Sequence, residues 1–184
     1  MSIFTNPAGA TAREGAATYI AALMELLGDR DPIAVQEELL GAVRELTAGL
    51  SEDDLTQPER AGKWSILQVV EHLTDQELVN GFRLRSIVAE VEPPLRGYDQ
   101  DLWAAKLRYG SAGLEPVLEE LRALRNRNLR LYRSLSEPEL DRVGLHDERG
   151  PESARRLRAL TAAHDLLHRR QIARIRASLG RPVS

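Results

Sequence analysis

The chain has 184 residues, 42% hydrophobic and 29% charged, with a formal net charge of −3. That length suits one domain with a core that needs no covalent staples, and that charge excludes the concentrated positive surface on which sequence-independent nucleic-acid binding depends. Cysteine is absent, which excludes disulfides, thiolate metal sites, iron–sulfur clusters and a cysteine nucleophile, so any metal must be held by His, Asp or Glu.

No apolar run approaches the roughly 18 residues of a membrane span. The opening MSIFTNPAGATAREG lacks the basic and long apolar regions of a secretory signal. A cytoplasmic protein without a membrane or nucleic-acid partner is expected. Of 25 basic residues only Lys63 and Lys106 are lysines. The arginine excess reads as coding bias rather than as a set of phosphate or carboxylate clamps.

In chain order, the pattern is helical throughout, and no segment alternates with the period of a strand. A weak first helix spans about Thr11 to Leu27 and ends at Gly28; residues 1–30 are read as a helical extension and residues 31–184 as the main domain. Asp31-Pro32 caps and opens the next helix, which carries Ile33, Leu39, Leu40, Val43, Leu46 and Leu50. Ser51 to Leu55 is a capped short turn. Ser65 and Gln68 form a capping-box pattern at the start of a long helix through Ile66, Val69, Val70, Leu73, Leu84, Ile87 and Val88. Glu92-Pro93-Pro94 stops it.

Residues 95–112 form the longest connection, with a short helix near Asp99 to Leu107; a pocket or lid is most easily built there. A further long helix runs from about Leu114 to Leu135. Ser136 to Leu140 is a turn and His146 to Gly150 a loop. Ser153 caps the last helix, which ends near Leu179 before Gly180. The expected fold class is all-α: a four-helix bundle with short accessory helices, its long helices packed antiparallel around one core.

His164 and His168 are four residues apart and share one helix face. They lie on the seam Leu157, Thr161, His164, His168, Gln171 and Ile175, whose 4-3-4-3-4 spacing marks a core-facing stripe. Polar groups in such places need hydrogen-bond partners or a metal, and two imidazoles one turn apart are good cis ligands for one ion. His72, on another long helix, is either a third ligand or a rim histidine facing solvent. Three neutral imidazoles would leave coordination positions for water or substrate.

The remaining candidates are weaker. His146 reads as solvent-exposed, or as a group behind the metal ligands, and Asp165 as a solvated or arginine-paired surface carboxylate. Trp64 reads as a staple or core anchor. Tyr98, Asp99 and Trp103 in the long connection are candidate substrate contacts, with Gln171.

Gly62-Lys63-Trp64-Ser65-Ile66-Leu67-Gln68-Val69-Val70-Glu71-His72-Leu73 resembles the opening of the second helix in the DinB-like, or YfiT-like, family. His164-Asp165-Leu166-Leu167-His168-Arg169-Arg170-Gln171-Ile172 resembles that family's last-helix His-x-x-x-His segment. Tyr98-Asp99 with Trp103 is similar to its middle segment. The likeness extends from about Pro32 to Leu179. It implies a four-helix bundle, a homodimer, and a divalent metal (zinc or nickel) held by His72, His164 and His168.

The resemblance further implies a small-molecule substrate and two activities: transfer involving a low-molecular-weight thiol cosubstrate, or hydrolysis. Leu167 and Gln171 stand where many YfiT-like chains carry extra histidines. No general base is assigned. Two readings compete: a zincin-like protease, weakened because Asp165 is a methylene short of the usual glutamate and strands are lacking, and a non-catalytic bundle stabilised by its metal. A di-iron carboxylate bundle is disfavoured, since Glu-x-x-His does not occur.

Overall fold

The structure is a computed structural model that describes residues 10–181, with side chains described from residue 15. Helix α1 spans Ala10–Leu27, α2 Pro32–Thr47, α3 Glu52–Thr56 and α4 Ile66–Ala89. Strand β1 (Pro94–Leu95) and helix α5 (Gln100–Lys106) occupy the long connection. Then follow α6 (Leu114–Ser134), α7 (Glu137–Leu140), β2 (Val143–His146), β3 (Gly150–Ser153) and α8 (Ala154–Ser178). No described helix is long and apolar enough to cross a membrane.

The helix starts follow local chemistry. Asp31 accepts from the Ile33 amide, with Pro32 at the first helical position. At α4 the Ser65 hydroxyl accepts from Gln68 N at 3.3 Å, and Ser65 N donates to Gln68 Oε1 at 2.9 Å, closing the capping box. Ser51 with Asp54 does the same for α3.

The long helices α2, α8, α4 and α6 close a ring in that spatial order, and α1 packs outside against α8. Consecutive long helices α2 and α4 therefore sit diagonally, as do α6 and α8. The expectation of uniformly antiparallel packing needs correction. Gln36 meets the Arg158 carbonyl and Leu46 the Arg176 guanidinium, so α2 and α8 run parallel. Val69 and Leu73 share a core cluster with Leu118 and Leu121, and Leu84 and Ile87 share one with Tyr132, so α4 and α6 run parallel too. The reason lies in residues 90–113: a connection that long carries the chain back along the bundle before α6 begins.

That return is anchored by a small sheet the sequence does not announce. β1 pairs parallel with β2, and β2 antiparallel with β3, in the order β1-β2-β3. Strands of two to four residues are too short for alternation to register. Gly150 turns the β2–β3 hairpin at φ +72°, and Gly144 lets Leu95 approach to where a Cβ would meet its side chain at 2.8 Å.

Between the apolar clusters lies a buried ionic network. Arg125 on α6 donates bidentately to Asp165 on α8 (2.6 and 3.1 Å), to Glu77 on α4 (3.0 Å) and to the Gln36 carbonyl on α2 (2.9 Å). One guanidinium thus ties all four long helices. Asn128 adds bonds to the Glu77 carboxylate and carbonyl at 2.8 and 3.0 Å, in space that Gly81 leaves open by lacking a Cβ. Asp165 is therefore not a solvated surface group but 1% exposed. Burial pushes its carboxyl up to about 6 while Arg125 holds it down, so the pair is ionic at neutral pH.

Removing the cation would strand two buried carboxylates. Arg125→Met is expected to lower unfolding free energy by about 3–5 kcal/mol in denaturant titration, whereas Arg44→Ala, at the exposed Arg44–Glu115 pair, should leave the midpoint nearly unchanged. Equal effects would show that Arg125 does not organise the bundle.

Candidate metal centre

The α4–α8 crossing sets the site. Asn80 donates to the Thr161 hydroxyl at 3.0 Å, which fixes the register of the two antiparallel helices. Two turns toward the start of α4, His72 then faces the one-turn pair His164 and His168. All three are buried, at 1%, 7% and 7% exposure. His72 is therefore not a rim residue. Trp64 stacks on it with ring centroids 4.9 Å apart and also packs against the core cluster.

The Nε2 atom of His164 lies 3.2 Å from that of His72 and 3.0 Å from that of His168. His168 Nδ1 lies 2.7 Å from Gln171 Oε1. A carbonyl oxygen only accepts, so His168 carries its proton on Nδ1 and presents a lone pair at Nε2. Burial drives the His72 and His164 pKa values well below the ordinary 6.5, aided by the neighbouring rings, and brings His168 down to about 4. All three rings are neutral at pH 7. Nδ1 of His72 and of His164 is buried without a partner, so hydrogen bonding within the protein leaves the cluster incompletely satisfied.

The spacing suits a single ion. With metal–nitrogen bonds of about 2.0–2.1 Å, nitrogens stand about 2.9 Å apart at octahedral cis positions and about 3.4 Å apart at tetrahedral ones. The two observed separations fall between these.

The centre opens into a cavity of about 970 Å³, lined near the centre by Trp64, Gln68, His164, His168 and Gln171 and farther along by Gln76, Asn80, Arg83, Tyr98 and Arg149. Tyr98 reaches it and donates to Gln76 Oε1 at 2.9 Å. Asp99 and Trp103, expected as substrate contacts, do not line it. The Asp99 carboxylate accepts from Leu102 N at 2.9 Å as the N-cap of α5, and Trp103 packs behind Tyr98 with centroids 4.4 Å apart. Gln171 lines the cavity and also orients His168.

His146 departs from expectation. It sits in β2 at 3% exposure and accepts from Glu148 N at 3.2 Å. Burial first, then Arg149 and Arg83, lower its pKa to about 4. His146, Asp147 and Glu148 also cluster as possible ligands, but His146 Nδ1 is already engaged and Asp147 is exposed. Sequence reasoning missed Gln76, Asn80, Arg83 and Arg149. Three of them continue the His72 face of α4 at 4, 8 and 11 residues along, so the face was readable once His72 was placed.

The sequence matches the family model of the DinB superfamily over residues 37–172. A Geobacillus thermodenitrificans protein, provisionally named a metal-dependent hydrolase, is 32% identical over 151 residues, covering 80% of this chain and 84% of that one. YfiT of Bacillus subtilis, similarly named, is 28% identical over 116 residues, 63% of this chain and 65% of that protein. The solved structure of YfiT, described as having an unusual four-helix bundle topology, superposes with a TM-score of 0.75 at 25% identity, covering 81% of this chain and 86% of that one. The chain belongs to the DinB superfamily.

Proposed function

We propose that His72, His164 and His168 hold one divalent cation and that the chain is a metal-dependent hydrolase acting on a small molecule in the adjoining cavity. The observation that carries this reading is the convergence of three neutral, buried Nε2 atoms from two helices onto one point at the cavity wall. The provisional names of the relatives agree with it. A cation there supplies Lewis-acid polarisation and brings the pKa of water or a thiol toward neutrality.

The chain's own residues do the rest. Gln171 fixes the His168 tautomer, Trp64 packs against the His72 ring, and Gln76, whose Oε1 accepts from Tyr98, keeps its amide nitrogen for a ligand along the cavity. The acids that line the cavity are Glu59, Asp101 and Glu148, and Glu59 is bound to Arg174. Among the described residues no carboxylate joins the three imidazoles in one group of possible ligands. That favours a second reading on the same centre: transfer of a low-molecular-weight thiol, whose proton leaves near neutral pH without a strong protein base. Parallel assays of ester hydrolysis with and without added thiol separate the two.

Elemental analysis of purified protein should find about one divalent ion per chain. His72→Ala and His168→Ala should each lower occupancy about tenfold or more, and Gln171→Leu should weaken affinity by about 10–100-fold through loss of the bond that orients His168. Full retention in both histidine variants would overturn the ligand set.

The metal-free protein should lose stability on acidification. The unfolded histidines protonate near pH 6.5, whereas folded His168 and His146 resist until about pH 4 and His72 and His164 also stay neutral. Their contribution is complete above 6.5 and falls as pH drops through that window, by up to about 1.4 kcal/mol per pH unit for each group. Asp165, raised to about 6, takes its proton earlier in the folded state and offsets one of them. Urea titrations from pH 7 to 5 should show the decline; a flat profile would contradict the buried neutral rings.

A further inference from the structure

The end of the cavity away from the histidines contains a charge that the fold does not balance by contact. Arg83 lines the cavity and is only 4% exposed. Its Nη1 donates to Asn80 Oδ1 at 3.1 Å and its Nη2 to the Arg96 carbonyl, both neutral acceptors. Its Nε is buried with no acceptor, and no described carboxylate lies within 4.0 Å of it. A desolvated guanidinium of this kind is costly unless an anion meets it.

The neighbouring groups do not supply that anion. Arg149 also lines the cavity, and its charge adds to that of Arg83. The buried carboxylate nearby, Glu152, is taken by Arg149 through two bonds of 2.6 and 2.8 Å. His146 is neutral there. Asp147 is exposed and accepts from Gly97 N at 3.0 Å, and Glu148, half-buried at the cavity wall, makes no ion pair with Arg83. Carboxylates therefore surround Arg83 without touching it, and its buried Nε keeps no acceptor.

We propose that Arg83, supported by Arg149, is a carboxylate-binding subsite, and that the substrate is an elongated organic acid bound by its carboxylate at this end. Arg83 follows His72 on α4 by 11 residues, about 16 Å along the helix axis, and Gln76 and Asn80 lie between. An acid anchored at Arg83 extends along that face toward the histidines. Between the two ends, α1 contributes an apolar wall of Ile20 and Leu23, suited to an alkyl or aryl body. The subsite stands on its own geometry; placing the reacting end at the histidines rests on the function proposed above.

The test is calorimetric titration of the full-length protein with octanoate and with its neutral counterpart octanamide, each against chelator-treated and zinc-loaded samples. Octanoate should bind the chelated protein about tenfold or more tightly than octanamide, as a charge-assisted bond to a buried guanidinium requires, and zinc should change this little. Arg83→Met should erase the preference and Arg83→Lys should keep part of it. If the methionine variant fails to fold, the wild-type comparison and the lysine variant still decide.

Equal binding of octanoate and octanamide by the chelated wild-type protein would overturn the subsite. So would octanoate binding that appears only with zinc, because the carboxylate would then sit at the histidines. Zinc content, measured on the same samples, reports the metal centre separately, so either idea can fail without the other.

Discussion

Everything at this site depends on keeping three imidazoles out of water without protonating them. Desolvation does both. It lowers the affinity of His72, His164 and His168 for protons and leaves their Nε2 atoms converging on one another. An apolar core has no use for such a cluster, which leaves Nδ1 of His72 and of His164 without partners. The proposed cation would resolve the conflict, and the cost of burying these rings is met by the surrounding bundle.

The bundle meets it with a second set of buried charges. Arg125 fastens α2, α4, α6 and α8 at one level, and its partner Asp165 is the residue next to His164. Position 165 thus points one way into the ionic network while position 164 points another into the histidine cluster. The parallel pairs α4–α6 and α2–α8 follow from the long excursion through β1 and α5. The same excursion brings Tyr98 to the cavity wall and, through β1, pairs with the hairpin whose turn adds Glu148 and Arg149 to that wall. Topology and site are consequences of one connection.

Much of this was legible in the sequence. The caps at Asp31, Ser51, Ser65 and Ser153, the four long helices and the His164–His168 seam all follow from local chemistry and a 3.6-residue period. The sheet was not legible, because its strands are shorter than one alternation can define. Helix direction was not, because loop length permits either return. His146 and Asp165 were placed outside for the same reason: a charged or loop-flanked residue reads as exposed until the partner that buries it, Arg125 or the β-hairpin, is known. Trp103 and Asp99 misled in the other direction, since a motif beside a cavity also has to cap and brace its own short helix. The arginine excess, read as coding bias, conceals at least Arg125 and Arg83, whose burial gives them specific work.

The most direct test is anomalous X-ray scattering at the zinc edge from crystals of the zinc-loaded protein. The account predicts one strong peak about 2.0–2.1 Å from Nε2 of His72, His164 and His168. A peak at His146, Asp147 and Glu148 instead, or none between α4 and α8, would contradict it.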